Sequence, residues 1–106
     1  MLVRRWTVHD RDGRPVYLTE ERWQHIIIRH DELTEHFEAV LDTIRFSRRR
    51  QDPLNPEAYH YYRYYSSLSN DYVGIEVIVL FKIDVFDNEI TPNNFVVTAW
   101  GIKEFA

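Results

Sequence analysis

The stretch "RWQHIIIRH", residues 22 to 30, sets two histidines and two arginines among apolar neighbours. Imidazole has an unperturbed pKa near 6.5, so His25 and His30 are of the residue type that accepts or gives up a proton at neutral pH. Guanidinium groups hold phosphate or carboxylate through paired N–H donors. Together these types suit chemistry on a phosphate ester. Each also has a plainer use. At helical spacing Trp23, Ile26, Ile27 and His30 share one face, whereas Arg22, His25 and Arg29 share another. A histidine on an apolar stripe commonly serves as a hydrogen-bonded core or cap group, and a charged face is commonly just solvated. The sequence leaves both uses open for His30 and for His25.

Further along, Arg63 lies inside "YHYYRYYS". An arginine in an aromatic strand must meet an anion or stack on a ring such as Tyr61 or Tyr65. Thr98 in "VVTAW" offers a hydroxyl and Lys82 in "VGIEVIVLFKI" a cation, although threonine is a good strand former and lysine a common edge residue. Arg48, Arg49 and Arg50 open "SRRRQDPLNPEA". From Arg45 to Arg63 five arginines face Asp52 and Glu57, a local +3 that leaves −7 on the rest of a chain of net charge −4. The overall field therefore opposes nucleic acid, and any such contact must be local. Tyr62 and Tyr65 belong to five tyrosines between positions 59 and 65. They suit stacking of unpaired bases, and equally a core or a homodimer interface.

Several chemistries lack their residues. With no cysteine there are no disulfides and no thiolate metal sites. His25 and His36 are eleven positions apart, but a helix break at Asp31 and the lack of a completing carboxylate argue against zinc. Three glycines provide no phosphate-cradling loop, and no serine sits in a nucleophile elbow. No cofactor and no metal are expected. The residues after Met1 and those downstream hold no apolar run of signal-peptide or membrane-span length, so a cytoplasmic protein without a membrane partner is the expectation.

The elements that must position these groups read as one domain, residues 1–106. Val3 to Val8 and Pro15 to Leu18 flank an Asp12-Gly13 turn and form a hairpin. Thr19 caps a first helix with Glu20 and Glu21 in its first turn. "DELTEHFEAVLDTIRF" is a second helix starting at Asp31, with Phe37, Val40, Leu41 and Ile44 as its apolar stripe. "SRRRQDPLNPEA" reads as a basic loop of about a dozen residues. Three strands follow: the tyrosine strand, the doubly apolar "VGIEVIVLFKI" in the centre, and "NNFVVTAW", the last two separated by the turn-rich "DVFDNEITPNN". The expected fold is α+β: an N-terminal hairpin and two helices packed on an antiparallel sheet of about three to four strands.

With "HIIIRH" on the first helix, "YYRYY" on the first of those strands and "VVTAW" on the last, the chain from Leu18 to Trp100 resembles the barnase/EndoU/colicin/RelE-like nuclease superfamily, closest to its small phage and bacterial branches and to BrnT-type toxins. The resemblance implies a metal-independent endoribonuclease or toxin-like ribonuclease, in which the ribose 2′-hydroxyl attacks the adjacent phosphate to leave a 2′,3′-cyclic phosphate. It implies RNA as partner and leaves room for an antitoxin or immunity protein. The roles it suggests are catalytic for His30, His25, Arg63 and Thr98, with His30 turned toward Arg63 and Thr98, and substrate-binding for Arg48, Arg49, Arg50, Tyr62, Tyr65 and Lys82. The rival is an inactive binding or homodimerisation module with the same fold.

Overall fold

The computed structural model describes residues 4–68 and 71–103. In chain order it has β1 (Arg5–His9), β2 (Pro15–Thr19), α1 (Glu20–Arg29), a 3-10 turn (Asp31–Leu33), α2 (Phe37–Phe46), β3 (Arg49–Gln51), β4 (Ala58–Tyr64), β5 (Tyr72–Phe86) and β6 (Glu89–Lys103). The strands form one sheet in the order β1-β2-β6-β5-β4-β3. Both helices pack on the same face. Val16, Leu18, Tyr61, Ile75, Val77, Val79 and Val96 of the sheet meet Trp23, Ile26, Leu33, Val40, Leu41 and Ile44 in one buried cluster. No helix among the described residues is long and apolar enough to cross a membrane.

The class is α+β, but the sheet is larger than expected, with six strands, and it is mixed. The N-terminal hairpin is not a separate ornament: β2 joins β6 in parallel at Tyr17 and Phe95. Side chains complete that seam, since Tyr17 Oη donates to Asn93 Oδ1 at 2.6 Å and Asn94 Nδ2 donates to the Pro15 carbonyl at 2.9 Å. Gly13, at φ +86°, turns the hairpin. Val3, expected to begin β1, lies outside the described residues.

Three further boundaries differ from expectation. The supposed basic loop holds β3, where Arg49 to Gln51 pair with Tyr61 to Tyr59. Backbone pairing with an open strand edge outweighs the lack of apolar period. The second helix does not begin at Asp31. That residue opens the 3-10 turn, and α2 starts at Phe37 behind His36, which makes no side-chain cap. The segment "DVFDNEITPNN" is strand on both sides of a two-residue turn, Asp87-Asn88, both at positive φ as such hairpins require. β5 and β6 thus continue past the core as an arm with Ile83, Val85, Phe86 and Ile90 exposed. As expected, β5 is central, between β6 and β4.

Candidate active site

α1 starts where the chain leaves β2. Thr19 Oγ1 accepts from the Arg22 backbone N–H at 3.1 Å and caps the helix, while Trp23 and Ile26 are buried beneath it. Because β2 touches β6 only near Phe95, the β6 edge beyond that point stays open, and α1 lies against it. The result is a groove lined by Arg22, His25, Ile26, Arg29 and His30 on one wall and by Val97, Thr98 and Trp100 on the other. Both arginines and His25 are exposed.

Thr98 reaches this site through a bulge. Val79 pairs with Val96, yet Ile78 pairs with Thr98, so Val97 is an extra residue in β6. In a regular register Val97 would pair with Ile78, and Thr98 would oppose Val77 and point into the core. One inserted residue moves the hydroxyl to the uncovered face.

His30 ends α1, with its backbone N–H donating to the Ile26 carbonyl at 2.7 Å. Its ring is not a core group: the side chain is one-third exposed, and the ring centroid stands 6.2 Å from that of Trp100. Behind it, Glu32 Oε2 lies 3.9 Å from His30 Nδ1 and accepts the Gly101 backbone N–H at 2.9 Å. The carboxylate, tethered to β6, stands beside the imidazole without a hydrogen bond to it.

The structure does not bring Arg63 to this groove. Arg63 shares the face of Tyr61 and points toward α2, its guanidinium 5.1 Å from the ring centres of both Phe46 and Tyr65. It thus lies on the opposite sheet face from Thr98 and does not line the groove. Tyr65 also faces α2, donating from Oη to the Ala39 carbonyl at 2.7 Å with Thr43 Oγ1 3.0 Å away. Lys82 pairs with Glu57 at 3.3 Å at the root of the arm.

Arg48, Arg49, Arg50 and Tyr62 meet elsewhere, in a second pocket on the uncovered face of the sheet, together with His60, Tyr64, Glu76 and Ile102. Arg49 lines it while its guanidinium stacks on Tyr59 and Phe81, 3.8 and 4.6 Å from the ring centres. His60 is fixed at both nitrogens: Nε2 is 2.7 Å from Asp52 Oδ2, and Nδ1 is 3.3 Å from Glu76 Oε2. A neutral ring donates to only one of these carboxylates, a protonated ring to both. The hydrogen bond from His60, with those from the Leu54 and Asn55 backbones, holds the Asp52 carboxyl below its usual value. Sequence reading missed His60 and Glu76, although a lone glutamate inside "VGIEVIVLF" was the available signal.

Among the described residues no cluster of three metal-ligating side chains occurs. No protein-family model, no curated protein and no solved structure matches the chain. The functional reading therefore rests on the residues themselves.

Proposed function

We propose that the chain is an endoribonuclease that cleaves by internal transesterification in the groove between α1 and β6. The observation that carries this reading is the convergence of His25, His30, Arg22 and Arg29 from one helix with Thr98 from the last strand. One imidazole removes the proton from the ribose 2′-hydroxyl. The 2′-oxygen bonds to phosphorus, the bond to the 5′-oxygen breaks, and the other imidazole, protonated, supplies that oxygen with its proton. Products are a 2′,3′-cyclic phosphate and a 5′-hydroxyl. Arg22, Arg29 and the Thr98 hydroxyl meet the phosphoryl oxygens as charge builds on them. The side chains supply every proton and cation that the reaction needs.

The test is incubation of RNA with the protein in a chelator, reading for cyclic-phosphate ends. His25→Ala and His30→Ala should each slow cleavage about 100-fold or more. Thr98→Val, which keeps the shape and removes the donor, should cost about 100-fold. Absence of cleavage by the wild type, or unchanged rates in both histidine variants, overturns the reading.

A second reading, an association module, is favoured by the arm. Ile83, Val85, Phe86 and Ile90 are each more than 60% exposed, and clustered exposed apolar side chains mark interaction surfaces. Size analysis of wild type against Phe86→Ser with Ile90→Ser tests it: a dimer that the variant dissolves supports this use, and a wild-type monomer removes self-association.

A further inference from the structure

The groove and the second pocket share one continuous surface. The register places His60, Ile78 and Thr98 in a single row across β4, β5 and β6, and places Tyr62, Glu76 and Trp100 in the row beside it. Directly opposed side chains on an antiparallel sheet share a face. The two rows therefore bridge the pocket, which holds His60, Tyr62 and Glu76, to the groove, which holds Thr98 and Trp100. Two strand spacings, about 10 Å, separate them.

We propose that this uncovered face binds a single-stranded RNA laid across the strands, with one neighbouring nucleotide of the chain seated in the Arg48, Arg50, Tyr62 and Tyr64 pocket. This inference rests on the nuclease reading of the groove and deepens it by naming the substrate as unpaired. Three features carry it. Tyr64 is 74% exposed and Tyr62 meets it edge-on at 5.0 Å, so an aromatic surface is presented to solvent where a base can stack. Tyr62 lies so close over Gly74 that a Cβ there would sit 2.8 Å from its ring, which seats that ring low on the sheet. The Arg48 and Arg50 side chains are exposed and make no hydrogen bond or ion pair with other described residues, whereas the Arg45 guanidinium nearby is held by Asp42 and Glu38. Two free guanidinium groups beside stacking rings match a phosphate beside a base.

The pocket volume of about 670 Å³ accommodates a nucleotide. A duplex does not fit this chemistry, because its bases are stacked on one another and closed to the tyrosines. Asp52 and Glu76 work against a polyanion, but each is engaged by a ring nitrogen of His60, at 2.7 and 3.3 Å.

The test uses a fluorescent octanucleotide of 2′-O-methyl RNA, which lacks the attacking hydroxyl and cannot be cleaved, and reads anisotropy at fixed salt. The single strand should bind at least tenfold more tightly than the same sequence as a duplex. Tyr62→Ala with Tyr64→Ala should weaken the single strand about tenfold or more, while Tyr62→Phe with Tyr64→Phe, which keeps the rings, should retain most of the affinity. Arg48→Ala with Arg50→Ala should weaken it as well. Equal affinity for duplex, or no change on removing both rings, overturns the proposal. Since no cleavage is involved, binding that behaves as expected in a protein that cuts no RNA would uphold this surface and defeat only the nuclease reading.

Discussion

Tyr61 Oη donates to Asp10 Oδ2 at 2.7 Å, a hydrogen bond that joins residues fifty-one positions apart. Tyr61 is fully buried in β4, and Asp10 organises the turn of the N-terminal hairpin, accepting from the backbones of Asp12 and Arg14 and from the Arg14 guanidinium. The bond ties that hairpin to a strand at the far side of the sheet. Burial, then the bond to Asp10, push the Tyr61 phenol far above its usual value. Tyr61→Phe should cost about 1.5 to 3 kcal/mol, as loss of a hydrogen bond to a buried charged acceptor does. Urea unfolding at pH 7 measures it.

Asp10 also gives the fold an acid sensitivity of known sign. Burial alone would raise its carboxyl, but the bonds from Tyr61, from the Arg14 backbone and guanidinium, and from the Asp12 backbone outweigh burial and lower it below 3.8. A carboxylate lowered on folding stabilises above its unfolded value, and the gain is lost as pH falls through the folded one. The stability advantage of wild type over Asp10→Asn should therefore be constant from pH 7 to about 5 and shrink as pH drops below about 4. An advantage that grows on acidification would contradict the network.

The first turn of α2 is locked by rings. Phe37 stands edge-on to Trp6 of β1 and Trp23 of α1, at centroid distances of 4.7 and 5.0 Å. Phe37→Ala should cost about 3 to 5 kcal/mol and change the intrinsic fluorescence of both tryptophans. Leu41→Ala, one turn on and buried, should cost about 2 to 5 kcal/mol. The fluorescence change separates the two.

Local signals were legible in the sequence. The Thr19 cap, the split of α1 into buried Trp23 and Ile26 against exposed Arg22, His25 and Arg29, and the central place of "VGIEVIVLFKI" all follow from spacing over a few residues, and the structure agrees with each. What escaped depends on register between distant strands. Alternation places Arg63 opposite in sense to Tyr62 but says nothing of Thr98, whose face is set by the extra Val97. His60 meets Glu76 only because β4 and β5 pair as they do. Asn88 at positive φ turns a segment rich in loop residues into a hairpin, and the Asp-Asn pair was the overlooked cue.

The three consecutive arginines should separate in function. Arg49 is committed to Tyr59 and Phe81, so Arg49→Ala should lower stability by about 0.5 to 2 kcal/mol. Arg48→Ala and Arg50→Ala should leave stability within about 0.5 kcal/mol and each reduce the salt slope of RNA binding by about one. Anisotropy titrations between 50 and 200 mM salt, roughly the range over which phosphate contacts are most telling, read the slope. A slope that Arg48→Ala and Arg50→Ala leave untouched would remove both from the RNA contact.

Glu32 offers the sharpest separation of structure from chemistry. Its Oε2 accepts the Gly101 N–H and faces His30 Nδ1, and it reaches the strand only because residue 101 has no side chain: a Cβ there would lie 2.9 Å from Glu32 Cγ and 2.7 Å from the Tyr72 ring. Glu32→Gln keeps an oxygen for Gly101 and removes the charge, so folding should change by less than about 1 kcal/mol. Glu32→Ala removes both, leaves the backbone donor without its partner, and should cost about 1 to 3 kcal/mol. If His30 carries a proton during cleavage, the nearby carboxylate stabilises the imidazolium, and both variants should slow single-turnover cleavage about tenfold or more. The glutamine variant decides the matter, because its loss of rate has no loss of fold behind it. A Glu32→Gln protein that cleaves at the wild-type rate would reduce Glu32 to a backbone clasp and leave His30 acting without it.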